Sequence, residues 1–178
     1  MIAKATARKG GKSTFAALAK YMARDSEKSP IATNCLHPAA EDFDLAVAEI
    51  KATQALNTRT VSNKTYHLLI LFRDREDVPA AEILHQIEEA FCEALGFCEH
   101  QRISAFHVHT EHHHVHIAIN KIHPETFRIH NPYRAYYIQD RVCREMEKRY
   151  GLRVDNGVDF DGKGESRVGS DNSVVESL

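Results

Sequence analysis

The alternation of side chains between Arg102 and Lys121 constrains this chain more than any other feature. Arg102–Thr110 reads RISAFHVHT and His114–Lys121 reads HVHIAINK, two period-two runs around a short polar stretch. Such a pattern predicts two antiparallel strands of a hairpin. Because successive side chains point to opposite faces, His114 and His116 share one face while Val115, Ile117 and Ile119 take the other. On the preceding strand Ile103, Ala105, His107 and His109 share a face. Pairing around residues 110–113 then sets His107 beside His114 and His116.

The flanking sequence supplies helices to cover that hairpin. Ser13 is expected to cap a helix running to about Arg24, with Phe15, Leu18 and Met22 as its buried stripe. A second helix is expected from Glu41 to about Asn57, with Phe43, Val47 and Ile50 inward. Lys64–Phe72 is a short apolar run and predicts a buried strand. Pro79 suits the first turn of a third helix that ends at Gly96. A brief strand is expected near Thr126–Ile129, then a last helix over Arg134–Tyr150, stopping at Gly151. The resulting order predicts an α+β domain with a mainly antiparallel sheet over residues 1–156. Residues 157–178, rich in Gly, Asp and Ser, are expected to form a polar tail or a linker to a further region.

Composition narrows the class. At 178 residues, with 43% hydrophobic and 27% charged residues, the chain has the makings of one globular domain. It lacks an apolar run of the ~20 residues that a membrane helix needs. With no signal sequence evident and no CxxC pairing among Cys35, Cys92, Cys98 and Cys143, a reduced, cytoplasmic protein is expected. The net charge of −2 hides an asymmetry. Residues 1–28 carry seven basic and two acidic side chains, 7 − 2 = +5, and residues 100–154 carry nine and five, 9 − 5 = +4. Together these segments can form a basic face toward a polyanion.

Six histidines fall within residues 107–116. Imidazole is the commonest ligand for transition metals, and three rings converging from a hairpin leave coordination positions open for water or substrate oxygens. The competing reading is a His-rich loop that binds nothing. Three imidazoles favour Mn, Zn, Ni or Co by softness, while abundance and phosphate chemistry favour Mg. Arg8–Thr14 (RKGGKST) lacks the first glycine of a phosphate loop, because position 6 is Thr6. Tyrosine is the better partner for a cation that activates phosphorus. Tyr21 lies in a basic segment, and Tyr133, Tyr136 and Tyr137 cluster after the hairpin.

The string from His107 to Asn120 (HVHTEHHHVHIAIN) resembles the third motif of the P-type conjugative relaxases, single-strand endonucleases of the HUH type. The resemblance extends through MIAK at the start, the Tyr21 region, Ala52-Thr-Gln, Asn57-Thr-Arg, Lys64-Thr-Tyr-His-Leu-Leu, Leu95-Gly-Phe, Glu99-His-Gln-Arg, INKIHP and PYRAY, roughly residues 1–156. It implies the HUH-endonuclease fold, with Tyr21 as nucleophile and His107, His114 and His116 as ligands of a divalent ion, Mg or Mn foremost. His67, in the second motif, and Asn120 are the DNA-contacting positions it implies. Two positions depart from the family pattern. His109 stands where an aspartate is common, with Glu111 at a second acidic position, and Leu71 replaces a serine hydroxyl near the nick.

The implied activity is nicking of single-stranded DNA at a plasmid transfer origin, through a 5′-phosphotyrosine that is later rejoined. The implied partners are accessory relaxosome proteins, a coupling protein and a type IV secretion channel. From charge and position, Lys9, Lys12, Arg24, Arg102 and Arg134 are expected backbone contacts, and Tyr133 a stacking platform. The rivals are a rolling-circle initiator or HUH transposase using Tyr133 or Tyr137, and a non-catalytic single-strand-binding relative.

Overall fold

A computed structural model describes residues 1–6, 14–24, 31–37, 39, 41–72, 79–107 and 113–154, together with the backbone of 159–160 and 166–167. Helix α1 (Phe15–Arg24) buries Phe15, Leu18, Ala19 and Met22, the one-sided stripe of an amphipathic helix. Its cap is Thr14, whose Oγ1 accepts from the Ala17 N–H at 3.2 Å. Ser13, expected in that role, lies outside the described residues. Helix α2 (Phe43–Leu56) starts at Asp42, whose carboxylate accepts from the Leu45 N–H at 3.0 Å. Helix α3 (Ala81–Ala94) begins two residues after Pro79. Gly96 follows its end at φ +79, where a Cβ would also stand 2.9 Å from His130 Nε2. Helix α4 (Ala135–Tyr150) stops at Gly151, at φ 63.

Five strands form one antiparallel sheet: β1 (Ile2–Ala5), β2 (Ile31–Thr33), β3 (Thr65–Leu71), β4 (Arg102–His107) and β5 (His114–Asn120), in the order β1-β3-β5-β4-β2. The α+β architecture with an antiparallel sheet matches the expectation. The expected brief strand near Thr126–Ile129 is only a single bridge between Ile122 and Ile129. Phe127 at φ 53 turns the chain there, and an extended run cannot pass through that conformation. Two edge strands, β1 and β2, were not expected. A two-residue pair, β6 (Asp159–Phe160) and β7 (Ser166–Arg167), falls in the segment read as a tail.

Helices cover both faces. On one, Leu68, Ile70, Val115, Ile117 and Ile119 pack with Ile87 and Phe91 of α3 and Val142 and Met146 of α4. On the other, α1 and α2 pack Phe15, Leu18, Met22, Val47 and Ile50 over Ile103, Ala105 and Ala118. Alternation therefore gives the larger side chains of β5 to the first core and its histidines to the second. The small Ala105 and Ala118 side chains let α1 approach the sheet on that side, and the helix ends over the histidines.

Candidate active site

Register builds the site. Across β4 and β5, His107 pairs with His114 and Ala105 with His116, so all three imidazoles project from one face at one end of the sheet. Ring centroids lie 5.1 Å apart for His107–His114 and 4.8 Å apart for each of the other two pairs. One ring nitrogen from each falls within 4.8 Å of the others. His107 and His116 are buried and His114 is half-buried.

Each buried ring is held from behind. His107 Nε2 donates to the Met22 carbonyl at 2.7 Å. That carbonyl lies in the last turn of α1, where no amide further along the helix can reach it. A neutral His107 therefore keeps its lone pair on Nδ1. His116 Nδ1 is hydrogen-bonded to His67 Nε2 at 2.8 Å, with the two rings stacked at 22°. On its far side His67 Nδ1 meets the Thr6 hydroxyl.

His116 Nε2 is buried and has no hydrogen-bond partner among the described residues. Burial first, then His67, His114 and His107, push the His116 pKa down to about 3. The ring is therefore neutral at ordinary pH and can offer a lone pair. An orphaned ring nitrogen among three clustered imidazoles fits a divalent cation, which would satisfy its lone pair.

Tyr21 precedes Met22 on α1 and stands against this cluster. Its ring meets His116 edge-on, with centroids 5.9 Å apart, and it is 45% exposed. The phenol is thus next to the histidines yet open to a ligand. Leu71 pairs with His114 and Leu69 with His116 across β3 and β5, so an apolar wall flanks the triad on that side. The tyrosines after the hairpin are placed differently. Tyr136 and Tyr137 lie on α4 and Tyr133 just before it, in the layer on the opposite side of the sheet from the histidines.

Comparison with known proteins decides the family. The family model "Relaxase: MobA/VirD2-like, nuclease domain" matches residues 21–152. The chain belongs to the relaxases. It is 47% identical over 150 residues to a Protein TraI of Escherichia coli and 45% identical over 151 residues to another. Each match covers 82% of this chain and 20% of the relative, so the chain spans about a fifth of the length of these relatives. It is also 34% identical over 77 residues to Protein MobA of Acidithiobacillus ferrooxidans, covering 42% of this chain and 19% of that protein. No solved structure matches. Among the described residues of this relaxase domain, no helix is long and apolar enough to cross a membrane.

Several expected DNA contacts sit elsewhere. Arg102 is 2% exposed on the α3 side of the sheet, with Nε 2.6 Å from Glu88 Oε1, so it is a buried ion-pair partner and not a backbone contact. Asn120 is fully buried; its amide donates to Gln101 Oε1 at 3.1 Å and its Oδ1 accepts from the Ile122 N–H at 3.0 Å. It shapes the end of β5 and cannot reach DNA. His67 is half-buried behind His116, with its Nε2 bonded to that ring. Arg134 is exposed at the start of α4, in the layer away from the triad, with its guanidinium 5.4 Å from the Tyr133 ring centroid. Arg24 is exposed at the end of α1, three residues after Tyr21. Lys9, Lys12, His109 and Glu111 lie outside the described residues. Thr6 and the Met22 carbonyl were missed, because a backbone oxygen and a lone hydroxyl beyond the end of β1 leave no motif.

Proposed function

We propose that this relaxase domain nicks single-stranded DNA at a plasmid transfer origin with Tyr21 as nucleophile. The observation that carries the reading is the position of Tyr21, half-exposed and edge-on to His116 at the histidine triad. The Tyr21 oxygen attacks the scissile phosphorus and the 3′ oxygen leaves, giving a 5′-phosphotyrosine and a free 3′-hydroxyl. The phenol proton passes to a base, for which His109 and Glu111 are the candidates, and the departing 3′ oxygen takes up a proton. One phosphoester replaces another, so the strand is rejoined by the reverse reaction without an external energy source.

A free phenol, with a pKa near ~10, is a weak nucleophile at neutral pH. His107, His114 and His116 would hold a divalent ion, Mg or Mn, which would supply Lewis-acid polarisation of the phosphate and stabilise the charge that develops. The chain does the rest. The Met22–His107 bond ties the helix that carries Tyr21 to the strand that carries the triad, and α1 fixes the phenol relative to the rings. Lys9, Lys12 and Arg24 hold the backbone around the nick, which makes binding steeply salt-dependent. Origin melting requires accessory DNA-binding proteins, and a covalent 5′ link suits delivery to a coupling protein and type IV secretion channel from the cytoplasm.

The test is trapping of covalent adducts on origin-derived single-stranded oligonucleotides with Mn²⁺. Tyr21→Phe is expected to form none, while Tyr133→Phe and Tyr137→Phe form them at the wild-type level. An adduct formed by Tyr21→Phe would transfer the reaction to another tyrosine and overturn the reading.

A further inference from the structure

His67 and Thr6 belong to neither the nucleophile nor the triad, yet they form a continuous hydrogen-bonded line into it. Thr6 is fixed by its backbone, whose N–H donates to the His67 carbonyl at 2.9 Å. The Thr6 hydroxyl meets His67 Nδ1, and His67 Nε2 meets His116 Nδ1 at 2.8 Å. The line ends at His116 Nε2, buried and without a hydrogen-bond partner among the described residues.

Neutral imidazole carries one proton, so the line has two consistent proton arrangements. In one, the threonine hydroxyl donates to His67, His67 donates to His116 Nδ1, and His116 Nε2 is left as a buried N–H with nothing to accept it. In the other, His116 Nδ1 donates to His67 Nε2 and His67 Nδ1 donates to the threonine oxygen. His116 Nε2 then presents a lone pair. Only the second arrangement can meet a cation, and the first leaves a buried donor unsatisfied.

We propose that His67, anchored by Thr6, is a positioning residue that holds His116 in its Nδ1–H tautomer and so commits Nε2 to the metal ion. The residue just after the first edge strand, remote from the HxH motif in sequence, is by this route part of the metal centre. This inference rests on the triad binding a divalent ion, but not on Tyr21 being the nucleophile.

The test is Mn²⁺ affinity by calorimetry on the full chain without DNA, with thermal melts as the folding control. His67→Phe keeps a ring but has no acceptor, and is expected to weaken Mn²⁺ binding about 10–100-fold. His67→Gln can place an amide oxygen where Nε2 was, and is expected to stay within about 3-fold of wild type. Nitrogen-15 spectra of the ion-free protein are expected to show a shift of His116 toward the Nε2–H form in Thr6→Val and His67→Phe, but not in His67→Gln. Wild-type affinity in His67→Phe overturns the relay, as does a loss of equal size in the Phe and Gln variants. A wild-type chain that binds no Mn²⁺ overturns the metal reading along with it, so the two failures are told apart.

Discussion

Two histidine clusters occupy opposite ends of the β4–β5 pair, and only one of them has the features of a reaction centre. Around Phe97, His100, His123 and His130 pack with ring centroids 5.3 Å apart for His100–His123 and 5.9 Å apart for His100–His130. Their density rivals that of the triad. Their ring nitrogens, however, are committed to the fold: His100 Nδ1 to the Asn120 carbonyl at 2.7 Å, His130 Nε2 to the Leu95 carbonyl at 2.8 Å, and His123 Nε2 to Glu99 at 3.0 Å. At the other end, His67 and Met22 hold the rings from behind and leave His116 Nε2 unmatched. Density of histidine is therefore a poor guide to function. A convergent, unsatisfied lone pair is a better one.

Substitution at each end separates the two roles most sharply. His116→Ala is expected to lower nicking on the order of 10²–10³-fold, the scale of a lost electrostatic stabiliser, while the melting temperature stays close to wild type. His130→Ala is expected to do the reverse, lowering the melting temperature and leaving Mn²⁺ affinity unchanged. Adduct yield, calorimetry and a thermal melt on both variants check the pair. Equal effects on all three measurements would erase the distinction between the clusters.

A buried charge extends the same comparison to the other face of the sheet. Arg102 pairs with Glu88 at 2.6 Å and approaches Glu89 at 3.7 Å. Arg102→Ala leaves the buried Glu88 carboxylate without its cation and is expected to cost about 3–5 kcal/mol of stability in denaturant titrations. Oligonucleotide affinity per folded molecule should not move. A weaker salt dependence of binding in this variant would restore Arg102 to the DNA.

How much of this was legible in the sequence follows from the range of each interaction. Period-two alternation is local, so β4, β5 and the shared face of His107, His114 and His116 could be read directly. The strands β1 and β2 have four and three residues, too few to show a period, and are recruited by partners distant in the chain. Arg102 looked like a surface cation because its counter-ion arrives from α3. Asn120 was expected at DNA on the resemblance alone, because its partners, the Gln101 side chain and the Ile122 N–H, are set by how β5 ends and leave no pattern in the sequence. His67 was placed among DNA contacts, since the His67–His116 bond depends on the β3–β5 register, in which His67 pairs with Ala118 and Leu69 with His116.

Gly96 tests the structural cluster at its backbone. At φ +79 and with His130 close to where a Cβ would lie, Gly96→Ala is expected to destabilise by roughly 1–3 kcal/mol, read as a shift in the denaturation midpoint without loss of Mn²⁺ affinity. A neutral result would mean that His130 moves aside freely and that this cluster is looser than its hydrogen bonds imply.

The smallest expected effect is a pH dependence of stability that originates in the same structural cluster. Burial lowers the His100 pKa below its ordinary 6.5, opposed by the bond to the Asn120 carbonyl and assisted by the neighbouring His123 and His130. A histidine with a depressed native pKa is protonated more readily in the unfolded chain, so acid favours unfolding. The stabilisation from keeping His100 neutral is complete above the unfolded value of 6.5 and is lost as pH falls from there through the native pKa. Measured between pH 7 and pH 5 without metal, the unfolding free energy of the wild type should decline. His100→Gln, which cannot titrate, should lower stability at pH 7 but decline less steeply. His116, pushed to about 3, contributes to the same slope in the metal-free protein. Saturating Mn²⁺ would also hold this ring neutral in the folded chain while the unfolded chain still takes up protons, so metal is expected to leave the slope in place, and a slope that vanished on adding metal would overturn its assignment to these histidines.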